Sequence, residues 1–156
     1  MIHTLLMLSG FLVALVLAAL LWVLAGLHAY WGQGGLWPEK DEFALARRVV
    51  GAPGIRAMPA SSACYTVAAL LFVAGLWPLM MIGLLPAPLP VELTILGGYG
   101  LAAVFLARGA AAYLPAFRAY FPEEPFATLD RELYGPLCLF IGLGFTYMLA
   151  LGWLTP

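Results

Sequence analysis

The sequence predicts an all-α integral membrane protein: a four-helix bundle with antiparallel neighbours and a short amphipathic interfacial helix in its first cytoplasmic loop. Two observations carry that prediction. Four apolar stretches, at about 5–30, 62–85, 91–114 and 134–154, each approach or exceed the ~20 residues that span ~30 Å of hydrocarbon. All seven Lys and Arg residues also fall on one side of the membrane those stretches would cross. Lys40, Arg47, Arg48 and Arg56 lie between the first and second stretches, Arg118 and Arg131 between the third and fourth, and Arg108 near the inner end of the third. The positive-inside bias then places both long loops in the cytoplasm and both termini outside.

Composition excludes several classes of function. With 64% hydrophobic and 10% charged residues and a mean hydropathy of +0.98, the solvent for most side chains is lipid. A net charge of -1 offers no basic stripe, which sets nucleic acid aside. Cys64 and Cys138 both fall toward the reducing face with no CxxC or zinc spacing, so they read as packing residues rather than a disulfide or a metal site.

Unpaired backbone groups are intolerable in hydrocarbon, so the four segments must be helices packed as one transmembrane domain over 1–156. Small residues supply the expected close contacts: Ala14 with Ala18, Gly98 with Ala102, and Gly142 with Gly144. The short turn through Pro86, Pro88 and Pro90 makes the second and third helices antiparallel neighbours.

The first loop contains a capped helix. Early acids Glu39, Asp41 and Glu42 and late bases Arg47 and Arg48 suit the helix dipole, and Gly51 is placed to end it. Phe43, Ala46, Val49 and Val50 share a face, which lies either in the membrane interface or over the mouth of the bundle. The second loop is broken by Pro115, Pro122 and Pro125, with Phe117, Tyr120 and Phe121 able to rest at headgroup level. Asp130 stands where an acid can cap the fourth helix.

Placing residues by depth brings His28, Tyr30, Trp31, Cys64, Tyr65, Arg108, Tyr113, Arg131, Tyr134 and Cys138 to the inner end of the bundle. The outer end offers only His3, Thr4, Glu92, Thr94 and Thr155 as polar side chains near the span ends. A site built on polar chemistry therefore belongs to the cytoplasmic half. Arg108 lies about six residues, or ~9 Å, inside its stretch, so it either pairs with an acid such as Asp130 or Glu132 or snorkels to lipid phosphates.

His28 has no second histidine beside it, since His3 is ~37 Å away along one helix. A hydrogen bond to a neighbouring Tyr or a backbone carbonyl suits it better than a metal shared with Cys64 and Cys138. Neither a nucleophile elbow, nor paired carboxylates within the spans, nor a phosphate-cradling Gly loop is present. No cofactor is expected.

The segments His28-Ala29-Tyr30-Trp31, Gly34 to Pro38, Leu45-Ala46-Arg47 to Gly51, Met58-Pro59, Arg108-Gly109, Asp130 and Leu133 to Cys138 resemble the short bacterial membrane proteins grouped as domain-of-unknown-function family 3995. The resemblance spans nearly the whole chain. It implies four spans and no assigned activity, and it marks the inner-end residues as the family's recognisable ones.

The residues then fit a non-enzymatic protein that binds a membrane lipid, a small amphiphile or a partner membrane subunit. Its candidate ligand-binding residues are His28, Tyr30, Trp31, Trp37, Arg108, Asp130, Arg131, Tyr134 and Cys138. One alternative is a small membrane enzyme or redox-linked protein using His28 with Arg108 and Tyr134. Another is a transporter subunit that works as an oligomer, since four helices are few for a complete pathway.

Overall fold

The computed structural model describes residues 1–152 and is helical in every regular element among them. Its elements are α1 (Ile2–Gly32), α2 (Glu42–Val49), α3 (Ser61–Met81), α4 (Val91–Ala111), α5 (Pro115–Tyr120), α6 (Phe126–Leu129), a π-helical turn (Asp130–Tyr134) and α7 (Gly135–Ala150). By length and composition α1, α3, α4 and the continuous column Phe126–Ala150 can each cross a membrane. At 31 residues, or about 46 Å, α1 outreaches the hydrocarbon. The four-helix architecture is therefore as the apolar stretches predict.

The fourth helical column differs from expectation at its start. It begins at Phe126 rather than near 134, because Asp130, Arg131 and Glu132 wind into the π-helical turn instead of an open loop. The last residues of the predicted fourth span, and Thr155, lie outside the described residues.

The bundle is two tight antiparallel pairs. α1 packs along α3 and α4 along α7, while the pairs meet through sparser contacts of α1 with α7 and α3 with α4. The short Pro-rich turn thus joins neighbours that touch chiefly near it: the Trp77 indole N–H donates to the Thr94 carbonyl at 2.9 Å. Between the pairs, Leu17, Leu21, Met81, Ile141, Phe145 and Met148 form a core almost wholly removed from the surface. Each such side chain contributes about 1.5–3 kcal/mol in water, but between lipid-embedded helices the gain comes mainly from close packing.

Small residues set the helix spacing. Ala14 and Ala18 are buried in α1, and Gly98 and Ala102 are buried in α4. A Cβ on Gly142 would come within 2.7 Å of Leu106, and one on Gly144 within 2.9 Å of Leu17. Two further glycines have the same role: a Cβ on Gly109 would lie 2.8 Å from the Leu139 backbone nitrogen, and one on Gly135 3.3 Å from the Gly109 carbonyl oxygen and 2.8 Å from the Ala112 Cβ. Backbone atoms cannot swing aside as side chains do, so these positions fix how closely α4 and α7 approach.

α2 forms as its charges predict. The Asp41 side chain accepts from the Ala44 N–H at 2.8 Å as N-cap, and Gly51 takes φ +67°, the left-handed geometry that ends helices. Its buried residues are Leu45 and Ala46, whereas Phe43 is half-exposed and stacks near Arg47. Val49 and Val50 are half-buried at its end.

Candidate functional site

Polar chemistry gathers at the end of the bundle that carries the two long loops, and the chain reaches it in four ways. The last turns of α1 supply His28, Tyr30 and Trp31. The loop to α2 supplies Trp37, the end of α4 supplies Arg108, and the π-helical turn into α7 supplies Asp130, Arg131, Tyr134 and Cys138.

His28 and Trp31 stand edge to face, with ring centroids 5.1 Å apart. His28 Nδ1 lies 2.8 Å from the Leu24 carbonyl oxygen, which can only accept, so Nδ1 carries the proton. In the neutral imidazole, Nε2 is then an acceptor. Among the described residues Nε2 takes no hydrogen bond. His28 lines an open cavity of about 160 Å³ whose other walls include Val50, Met58, Cys64 and Val67, so α1, the end of α2 and the start of α3 border it together. Cys64 is free and buried there.

Tyr30, Trp31 and Trp37 form a latch on the chain leaving α1. The Trp31 indole N–H donates to the Trp37 carbonyl at 2.8 Å, and the Trp37 N–H reaches the Tyr30 hydroxyl at 3.5 Å. A side chain at Gly35 would strike the Tyr30 ring, and Gly34 beside it takes φ +88°. Two of these aromatics therefore shape the loop, and Trp31 also faces the cavity.

The second group belongs to the other helix pair. Arg108 Nη2 donates to Asp130 Oδ1 at 2.5 Å, with Asp130 3% exposed and the Arg108 side chain 35% exposed. The guanidinium also lies 5.2 Å from the Phe117 ring centroid. Arg108 thus takes the interior acid rather than snorkelling alone, and the Asp130 side chain serves as its counter-ion instead of capping α7. Cys138 lies two turns beyond Asp130 in the same column, half-buried.

Arg131 and Tyr134 diverge from that pair. Arg131 is exposed and reaches Glu132 at 3.5 Å. The Tyr134 hydroxyl donates to the Arg48 carbonyl at 3.3 Å, and its ring continues a chain of aromatics through Phe126 and Phe121 to Phe117. This chain binds α5, α6 and α7 to the end of α2. The candidate residues thus share one end of the bundle, divided between a cavity on the α1–α3 side and an ion pair on the α4–α7 side.

Spacing did not mark the clamps around this end. Glu123 accepts from the Gly54 N–H at 3.2 Å and faces Arg47 at 3.3 Å, tying the second loop to the first. Glu42 accepts from the Met58 N–H at 3.1 Å, and Glu39 pairs with Arg48. The Glu39 hydrogen bond outweighs partial burial and raises the Arg48 pKa above the ordinary arginine value. The two loops carry acids and bases in comparable number, which supplies the charge for such ties without naming the partners. Among the described residues no cluster of three His, Cys, Asp or Glu side chains could hold a metal ion.

No curated protein and no solved structure matches this chain. A family model described as "Protein of unknown function (DUF3995)" matches residues 19–145, from the middle of α1 into α7 and across every candidate residue above. The chain belongs to the DUF3995 family, as the motifs from His28 to Cys138 imply.

Proposed function

We propose that this is a multi-pass protein of the bacterial cytoplasmic membrane, with both long loops in the cytoplasm and both termini outside. In this reading it binds a membrane amphiphile whose polar head enters the His28 cavity. The observation that carries it is the position of His28: the residue lines an otherwise largely apolar cavity while its Nδ1 proton is committed to Leu24, which leaves its other ring nitrogen as an acceptor for a hydroxyl or amine. At about 160 Å³ the space equals the liquid volume of roughly five waters, which suits a small head and not a whole cofactor. Lys40 and Arg56 lie in the loop beside it and would attract anionic headgroups at about 1 kcal/mol each.

Arg108, whose charge is met by Asp130, acts here as a structural tie between α4 and the entry of α7. Native mass spectrometry of protein released from detergent tests the proposal. Wild type should retain lipid and His28→Ala should retain several-fold less with its helical content unchanged. Equal retention by the two would reject the cavity as a binding site.

A further inference from the structure

A second hollow lies between α3 and α4, about 530 Å³ and almost purely apolar, with Leu70, Ala74, Trp77, Gly100 and Val104 among its walls. Val67 lines both this groove and the His28 cavity. On α3, Ala63, Val67, Leu70, Ala74 and Trp77 follow one another at intervals of three and four residues, so a single face of the helix leads from the cavity into the groove. From Val67 to Trp77 is about 15 Å along the axis, half of the ~30 Å hydrocarbon thickness. The far end is closed where the Trp77 indole bonds to Thr94 and its ring occupies the space that Gly97 leaves empty.

We infer that this groove holds the hydrocarbon chain of the same amphiphile whose head sits beside His28, so the ligand class is a long-chain membrane lipid bound head and tail. The inference rests on the proposed function and adds its tail half. Three features favour a chain as the occupant: the depth of the groove in the bilayer, its length of one leaflet, and the wall residue Val67 that it shares with the polar cavity.

Gly100 gives the test, because a Cβ there meets nothing within 4 Å. Gly100→Leu should fill the groove and leave the fold and the His28 cavity intact. The probe is phosphatidylethanolamine carrying a mid-chain diazirine, photolysed in nanodiscs, with adducts mapped at Leu70 and Val104. Adducts at Val23, exposed on α1, serve as the reference for ordinary boundary lipid. Gly100→Leu and His28→Ala should each lower the groove adducts about tenfold relative to Val23, which corresponds to about 1.4 kcal/mol of lost affinity.

If His28→Ala lowers lipid retention but Gly100→Leu leaves the groove adducts unchanged, the tail site is overturned and the cavity reading stands. Loss of adducts in Gly100→Leu alone would mean that a chain enters without its head beside His28, which also overturns the inference. A fall in oligomeric mass on Gly100→Leu would identify a second copy of the chain as the occupant instead. No change in either variant would remove both proposals.

Discussion

Arg108 on α4 and Asp130 in the π-helical turn are joined by a 2.5 Å hydrogen-bonded ion pair, the acid buried and the base about one-third exposed. The bond ties the end of α4 to the entry of α7. Removing the base alone strands a carboxylate with no route to water, whereas removing both leaves an apolar seam.

Arg108→Ala should therefore lower stability by about 3 kcal/mol, the low end of the range for broken buried pairs because Arg108 is partly solvated. Arg108→Ala with Asp130→Ala should recover most of that loss. Unfolding in a mixed-micelle denaturant titration checks both, and additive losses in the double variant would show that the two side chains act independently.

The approach of α4 to α7 depends on glycine where backbone faces backbone. Gly109→Ala would bring its Cβ to 2.8 Å from the Leu139 nitrogen, forcing the helices apart at a cost of about 1–3 kcal/mol. Gly100→Ala, in open space on the same helix, should cost nothing or stabilise slightly, since Ala is the better helix former. Thermal midpoints of the two variants in one detergent make the comparison.

Glu123 holds Gly54 in the loop after α2 and Arg47 on α2 itself by one polar contact each. Surface ion pairs contribute only about 0.2–1 kcal/mol, so Glu123→Ala should leave global stability nearly unchanged. The backbone amides of residues 51–60 should then exchange with deuterium about two- to fivefold faster, while those of α3 and α7 keep their protection.

Orientation is testable by labelling. In a Cys64→Ala, Cys138→Ala background, Cys placed at Lys40 or Arg56 should react with an impermeant maleimide only after the membrane is opened. Cys placed at Leu89 should react in intact cells. The opposite pattern would place the long loops outside and contradict the charge rule.

Much of the fold is legible because lipid imposes one constraint on every residue of a span: long apolar runs must be helices, and Ala14, Ala18, Gly142 and Gly144 read as contacts from their size alone. The start of the fourth column escaped that logic. Asp130, Arg131 and Glu132 look like loop, yet one acid turns inward to Arg108 while the other two charges stay outside. Gly109 and Gly135 were hidden because glycine beside Arg108 or before Pro136 reads equally well as a helix boundary. Depth sorting found the polar end of the bundle. It could not assign His28 to one helix pair and Arg108 to the other, since that depends on helix rotation and pairing, which hydropathy does not encode.

The most direct measurement is the nitrogen-15 spectrum of His28, one of only two histidines in the chain, recorded at pH 8 in detergent with His3→Ala as the assignment control. Delipidated protein should show Nδ1 protonated and Nε2 bare. Adding phosphatidylethanolamine should shift the Nε2 resonance to that of a hydrogen-bonded acceptor while Nδ1 stays in place. An Nε2 resonance indifferent to lipid would mean that no head enters the cavity, and the central claim would fall.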